Sequence, residues 1–423
     1  MKEKQLLYIS NRIFWPPMGG HEVEVYHYCR GLHEKYGYTV DIYAFDSGEK
    51  LNGVQQPVFL NQVYFAKAIG KGTKIRNVVF KSFLSKEQWP LQNCLYYSDE
   101  NVRQIKQLVQ EKEYEIVIVD MIRLATYYDA LKEVSCRKVL DIDDMLSKRY
   151  KRQLKGITEK TVIAGQYHEK LPIFVQKVLG SNAVKRFILN LEIPRMEKAE
   201  EYYSGLFDWV IFVSSIETEE FNNKYKTNKA ITVSLGVDYP YFSEAIPVRK
   251  EEGRITYVGN MATPANADSV RIIIEEILPK CSKVKKVVFV GNCPERLSSA
   301  YANNQLVEFT GKVHDLRKYV RESMVFLSPI AYGTGIKTKI LEAMAMQMPV
   351  VTNSIGAEGI AAENGRHWYV SDDVTEIAGY VDALLSNRSK CETIGRNAQA
   401  YVRSYYQWDV IFEQFKSIGI KEV

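Results

Sequence analysis

A chain of 423 residues is too long for one comfortable core and suits two domains of about 200 residues each. With 46% hydrophobic and 25% charged residues the composition is that of an ordered globular protein, and a formal net charge of +5 is too small at this length to argue for a nucleic-acid partner. The six cysteines (Cys29, Cys94, Cys136, Cys281, Cys293 and Cys391) lack metal-ligand or redox spacing and read as reduced, mostly packed thiols. The opening run MKEKQLLYISNRIFWPP is broken by polar residues and prolines, and no stretch reaches the roughly 18 apolar residues of a membrane span, so a cytoplasmic protein is expected.

In chain order, residues 6–10 read as a strand. A loop ending at Gly19-Gly20, a helix over about 21–36 and a strand over 39–45 then complete one βαβ unit. Residues 50–100 are aromatic and basic with few clean periods and give no assignment. Strands follow at 115–120, 138–143 and 209–214, with a helical stretch between the first two, implying a parallel sheet covered by helices. The polar, proline-containing stretch 236–252 reads as an interdomain connection. Beyond it, strands are expected at 255–259, 284–291, 307–313, 324–329 and 349–353. Residues 401–418 read as one helix carrying Tyr405, Trp408, Ile411, Phe412 and Phe415 on one side. The expected domains are therefore 1–235 and 253–400, followed by a tail helix within 401–423. Both are α/β and Rossmann-like, yet neither carries G-x-G-x-x-G, so a nicotinamide or flavin cofactor is unsupported. Open α/β sheets bind ligands at the carboxyl ends of their strands, and two of them facing one another would share a cleft.

The most informative segment is SPIAYGTGIKTKILEAMAMQMPVVTNSIGAEGI, residues 328–360. Gly333 and Gly335 allow a tight turn and close backbone approach to a ligand. The helix that follows opens with free N–H groups and the positive end of its dipole. Lys337 and Lys339 fall in its first turns, where a cation is disfavoured by roughly 0.3–1 kcal/mol unless an anion lies nearby. Glu342 sits three residues past Lys339 and can accept hydrogen bonds from a ribose diol; the plainer alternative is two solvated lysines with Glu342 paired to one of them.

Taken together, Gly335, Lys339, the run Leu341-Glu342-Ala343-Met344-Ala345, Pro349-Val350-Val351 and Gly356-Ala357-Glu358-Gly359 resemble the donor-binding signature of retaining glycosyltransferases of the GT-B fold, family 4-like (glycosyl transferases group 1). The exopolysaccharide sugar transferases, which show a similar glycine–lysine variant, are the branch it resembles most. That family carries two glutamates eight residues apart; this chain keeps the second, Glu342, and has Thr334 at the first position, which leaves the transferred sugar open. The resemblance implies two Rossmann-like domains around a central cleft, with acceptor in the first, donor in the second and the tail helix crossing back to the first. It also implies a nucleotide-diphosphate sugar as donor, no metal, and departing-diphosphate stabilisation by Lys337, Lys339 and the helix terminus. Further donor contacts are expected at Gly19, Gly20, Gly259, Asn260 and Val313, the backbone near Val313 reading the base. His314 is expected to be a surface residue.

At the end of the strand 138–143 stand Asp141, Asp143 and Asp144, close enough to raise one another's pKa or hold a cation. The resemblance places Asp143 where the family has a histidine near the reacting sugar, giving it a catalytic role; the alternative is a helix cap or turn, with Asp144 capping. Asp141-Ile142-Asp143 also has the spelling of a metal-dependent Asp-x-Asp but lies in the acceptor half, so no metal is assigned. The run Lys148, Arg149, Lys151, Arg152 and Lys155 and the segment 171–191 suggest peripheral contact with an anionic membrane face or a lipid-linked acceptor, against the default of a solvated helix face. The leading reading is a glycosyltransferase acting on a glycan or lipid-linked glycan in cell-surface polysaccharide assembly. A sugar-nucleotide epimerase of the same architecture and a non-catalytic glycan- or nucleotide-binding partner of an assembly complex are the alternatives.

Overall fold

The structure is a computed structural model that describes residues 4–17, 19–46, 48–51, 53–155, 181–333 and 335–421. Two compact units divide the chain: Met1–Val233 with Gln414–Val423, and Ser234–Glu413.

Unit 1 is built on a seven-stranded parallel sheet of order β3-β2-β1-β4-β5-β6-β7. Its strands are β1 Lys4–Ser10, β2 Tyr38–Ala44, β3 Leu60–Phe65, β4 Ile116–Asp120, β5 Arg137–Asp143, β6 Trp209–Phe212 and β7 Ala230–Thr232. All five residues of β4 and the last five of β1 are buried, as near-continuous apolar runs require when helices cover both faces of a parallel sheet. Unit 2 has six parallel strands in the order β10-β9-β8-β11-β12-β13. They are β8 Arg254–Val258, β9 Lys286–Val290, β10 Val307–Gly311, β11 Val325–Ser328, β12 Val350–Thr352 and β13 Tyr369–Val370. In both sheets the order reverses beside the unit's first strand, between β1 and β4 and between β8 and β11. Loops at the carboxyl ends of those pairs diverge there and leave room for a ligand.

Every strand expected from the sequence is present within one or two residues of its expected ends. Three others lacked a readable pattern: β3 is an edge strand whose only buried residue is its first, and β7 and β13 span three and two residues. The tail corrects an expectation. Instead of one helix over 401–418, the helix Arg388–Tyr405 stops, a second runs Trp408–Glu413, and Gln414–Ile418 forms a 3-10 turn. The break has a tertiary cause: Val237 N donates to Tyr406 O (2.7 Å) and Val237 bridges Gln407, pulling the backbone out of the helix. Gly236 lies so close under the Trp408 ring that a Cβ there would stand 2.5 Å from it. The stretch expected as a connection is likewise packed into unit 2. Asp238 caps the helix Tyr239–Ser243 by accepting from Tyr241 N, and Arg317 Nη1 donates to Tyr241 O (2.7 Å) and Glu244 Oε2 (2.8 Å).

Candidate functional site

The expected donor residues of unit 2 lie on loops at the carboxyl edge of its sheet. Gly259 follows β8, its N–H donating to Val290 O (3.0 Å). Asn260 organises the turn beyond, its carbonyl accepting from Thr263 N (3.1 Å) and Asn266 Nδ2 (3.0 Å) at the start of the helix Pro264–Arg271. Val313 is half-buried in the turn after β10, and His314 beside it is exposed as expected. After β11, Asn353 at the end of β12 clamps the loop, accepting from Ile330 N (3.0 Å) and donating to Ile330 O (2.8 Å). Gly333 and Gly335 have φ of 143° and 71°, values that suit glycine, and the chain then enters the helix Thr338–Ala345. Thr334 lies outside the described residues.

Lys337 precedes that helix rather than opening it: it is the N-cap residue, offers no side-chain cap, and folds its ammonium back onto Gly335 O (2.5 Å). Lys339 sits in the first turn and is held firmly. Its Nζ donates to Tyr257 Oη (2.8 Å) and Asn266 Oδ1 (3.0 Å), and Tyr257 Oη donates to the same Oδ1 (2.7 Å). Burial pushes the Lys339 ammonium down to about 7, with Lys337's charge adding to the effect and Glu342 opposing it. Glu342, one turn further along, is pushed up to about 7 by burial, against the pull of Lys339. With no acidic residue in its first turn and no side-chain cap, the helix start offers the positive end of its dipole beside a lysine whose charge lacks a full counter-ion. An anion placed there would satisfy both.

In unit 1 the structure assembles a second group that the sequence reading only partly identified. Asp143 ends β5 with φ 68°, a strained value for a side-chain-bearing residue of the kind that clusters at functional sites. Around it stand His21 and Glu24 on the helix Gly20–Glu34 and Asp120 at the end of β4. His21 Nε2 is 3.0 Å from Asp120 Oδ1, while its Nδ1 is 3.5 Å from Glu24 Oε2 and 3.7 Å from Asp143 Oδ2. Burial opposes charge on His21, but the attraction of Asp120 and Glu24 outweighs it and the imidazolium is favoured well above the usual range. Asp120 is held low despite burial, by His21 and by the N–H of Asn11 at 2.8 Å. Glu24 and Asp141 are raised by burial and then by neighbouring carboxylates. Asp143 is pushed up to about 6 by burial, then by Asp144.

Within the aspartate cluster the roles separate. Asp141 is fully buried and accepts from Tyr8 Oη (2.7 Å), so it braces β1 against β5. Asp144 is gripped by Arg149 at both its oxygens, at 2.9 and 2.5 Å. Asp143 keeps a 19% exposed side chain and is the one able to meet a ligand. Ligand atoms of His21, Glu24 and Asp143 lie within 4.8 Å of one another, a wider spread than the roughly 3.5 Å expected between ligands of an ion bound at about 2.1 Å. The imidazolium already supplies positive charge among them. Gly19, the N-cap of the helix, and Gly20 border open space: an added Cβ at either meets no atom within 4 Å. Sequence reading missed His21, Glu24 and Asp120 as site residues.

The basic run beyond β5 is largely spoken for by protein carboxylates. Lys148 pairs with Glu220 (2.5 Å), Arg149 with Asp144, and Lys151 with Glu197 (2.7 Å). Of the segment 171–191, residues 171–180 lie outside the described residues. A cavity of about 830 Å³ in unit 2, lined by Lys250, Lys285, Arg321 and Arg396, opens at the amino ends of β8, β11 and β12 and holds none of the expected site residues. Among the described residues no helix is long and apolar enough to cross a membrane.

Comparison with known proteins bears on the family and the fold. Residues 252–387 match the family profile "Glycosyl transferases group 1". An uncharacterized 44.6 kDa protein in the cps region of Klebsiella pneumoniae is 24% identical over 219 residues, 49% of this chain and 54% of that one. The capsular polysaccharide biosynthesis glycosyltransferase CapM of Staphylococcus aureus is 26% identical over 108 residues, 25% of this chain and 28% of that one. The chain thus spans about half the length, or less, of these curated relatives. Among solved structures, HepE of Anabaena in complex with UDP superposes with a TM-score of 0.65 at 13% identity, covering 98% of both chains. Residues 252–387 are accordingly a glycosyl transferases group 1 domain, carried in a chain with the GT-B fold.

Proposed function

We propose that this chain is a glycosyltransferase that moves a sugar from a nucleotide diphosphate to a glycan or lipid-linked glycan in cell-surface polysaccharide assembly, on the cytoplasmic side of the membrane and with retention. One observation carries the reading: Lys339, a buried ammonium pushed down to about 7, sits in the first turn of an uncapped helix with Glu342 one turn on. A diphosphate there restores the lysine's charge and meets the positive end of the helix dipole, and Glu342 accepts from the ribose. In the reaction the bond from the anomeric carbon to the diphosphate oxygen breaks. The acceptor oxygen bonds to that carbon on the same face, and its proton passes to the departing diphosphate. Lys339 and the helix terminus stabilise the charge that develops, so no metal ion is required. Asp143, partly accessible and pushed up to about 6, holds a sugar hydroxyl. The polysaccharide context rests on the names of the relatives, and UDP, present in the HepE structure, is the first nucleotide to test.

One observation favours a second reading: His21 amid Glu24, Asp120 and Asp143 is the kind of histidine–carboxylate group a sugar-nucleotide epimerase uses. The two readings part when protein is incubated with UDP-sugars with and without acceptor glycans. Transfer predicts nucleotide release that depends on acceptor and withstands chelation of divalent metal. It also predicts a kcat lower by about a hundredfold in Asp143→Asn, with donor affinity unchanged. Conversion of the donor alone would establish the epimerase instead.

A further inference from the structure

The helix Lys71–Asn77 runs on as the π-helix Val78–Leu84, and its amphipathicity is inverted. Two of its polar side chains, Asn77 and Ser82, face the body of unit 1, while Lys71 and Arg76 are exposed, Arg76 lying 3.5 Å from Asp99. Asn77 is buried and donates to Cys94 O (3.1 Å) and Tyr97 O (2.8 Å); Ser82 is buried and accepts from Arg195 Nη1 (2.7 Å). The apolar side chains face outward: Ile75 is 66% exposed, Phe80 58%, Phe83 55% and Leu84 68%, with Val79 between them. Exposure recurs in pairs every four residues, at 75/76, 79/80 and 83/84. An α turn takes about 3.6 residues and a π turn more, so their succession keeps these pairs on one side. A soluble helix turns such a stripe toward the core, and exposed contiguous apolar surface of this kind marks an interaction site.

The charge around the stripe identifies the occupant. Residues 71–86 contain Lys71, Lys74, Arg76, Lys81 and Lys86 and no acidic residue. A second copy of this chain would bring the same cations against themselves, whereas an anionic lipid surface offers both an apolar interior for the phenylalanines and negative headgroups for the cations. We infer that this helix is a membrane-docking element, seating its outward stripe in the headgroup region of an anionic phospholipid bilayer. The inference locates the membrane side of the proposed function on residues 71–84 instead of the basic run 148–155. Its readout does not depend on sugar transfer.

The test is co-sedimentation of the full chain with vesicles of phosphatidylcholine alone or with about a third phosphatidylglycerol, at low and high salt. Binding to the anionic vesicles only, weakened by salt, is expected. Phe80→Ser/Phe83→Ser/Leu84→Ser should lower it by about tenfold or more, and Lys71→Glu/Lys74→Glu should do so without removing an apolar group. The altered side chains are exposed or half-buried, so both variants should keep the wild-type melting temperature, which checks that they fold. No binding by the wild type, equal binding by folded variants, or a dimer that the apolar variant dissociates while vesicle binding is absent would each overturn the assignment.

Discussion

Lys339 and Glu342, pushed to about 7 from opposite directions, change charge within the physiological range, and this gives the donor site a pH signature. A lysine whose pKa is depressed is charged in the free protein below about pH 7 and neutral above it. Diphosphate binding needs the charged form, so above pH 7 a proton must be taken up on binding, at about 1.4 kcal/mol per pH unit. Affinity for a nucleoside diphosphate, measured by calorimetry, should therefore fall by up to about tenfold per unit between pH 7 and about 9. The corresponding nucleoside should show no such slope. Lys339→Arg, which stays charged, should flatten the profile. These residues were legible in the sequence because glycine loop, lysine and glutamate are contiguous on one loop and helix. His21, Glu24 and Asp120 were not, because the group is assembled from the start of one helix and the ends of two strands, β4 and β5, that follow it only after several other elements. The available hint was a histidine and two glutamates at positions one, two and four after Gly19-Gly20, together with a second strand ending in aspartate.

Elements were readable in proportion to their burial. Runs such as IVIVD and KVVFV, covered on both faces, announce central strands, whereas the edge strand β3, LNQVYF, is mostly solvent-facing and carries no apolar period. The helix beginning at Lys71 shows a subtler limit: a sequence discloses an apolar stripe but not which way it points, and here it points outward. The loop after β12 illustrates a glycine that packing demands. An added Cβ on Gly356 would lie 1.9 Å from Thr352 Oγ1, which itself donates to Ser328 O (2.7 Å) between β11 and β12. Gly356→Ala should accordingly cost about 1–3 kcal/mol in chemical denaturation. It should also weaken nucleotide binding, since Asn353, the clamp on the 330–335 loop, caps that same turn. A stability within about 0.5 kcal/mol of wild type would show that the strand ends yield freely.

At the level of the whole chain, the last residues return to the first unit. Phe415 and Ile418 are fully buried there, and the Phe415 ring meets Tyr28 edge-on at 5.1 Å. Phe415→Ala should destabilise unit 1 by about 3–5 kcal/mol. In scanning calorimetry the transition of that unit should move down while that of unit 2 stays in place; a shift confined to unit 2 would contradict the division. The two-sheet architecture was legible from strand alternation alone, but the interruption at Tyr406–Gln407 was not, since it is imposed by Val237 from some 170 residues away. What gives the molecule its proposed activity is narrower than the fold: a diphosphate held at the start of the helix Thr338–Ala345. The most direct test is calorimetric titration of UDP and uridine into wild type and Lys339→Ala. The account predicts that the variant loses UDP affinity by about ten- to a hundredfold, the value of one charge-assisted contact, and keeps whatever uridine affinity the wild type has. Equal losses for both ligands, or no loss for either, would contradict it.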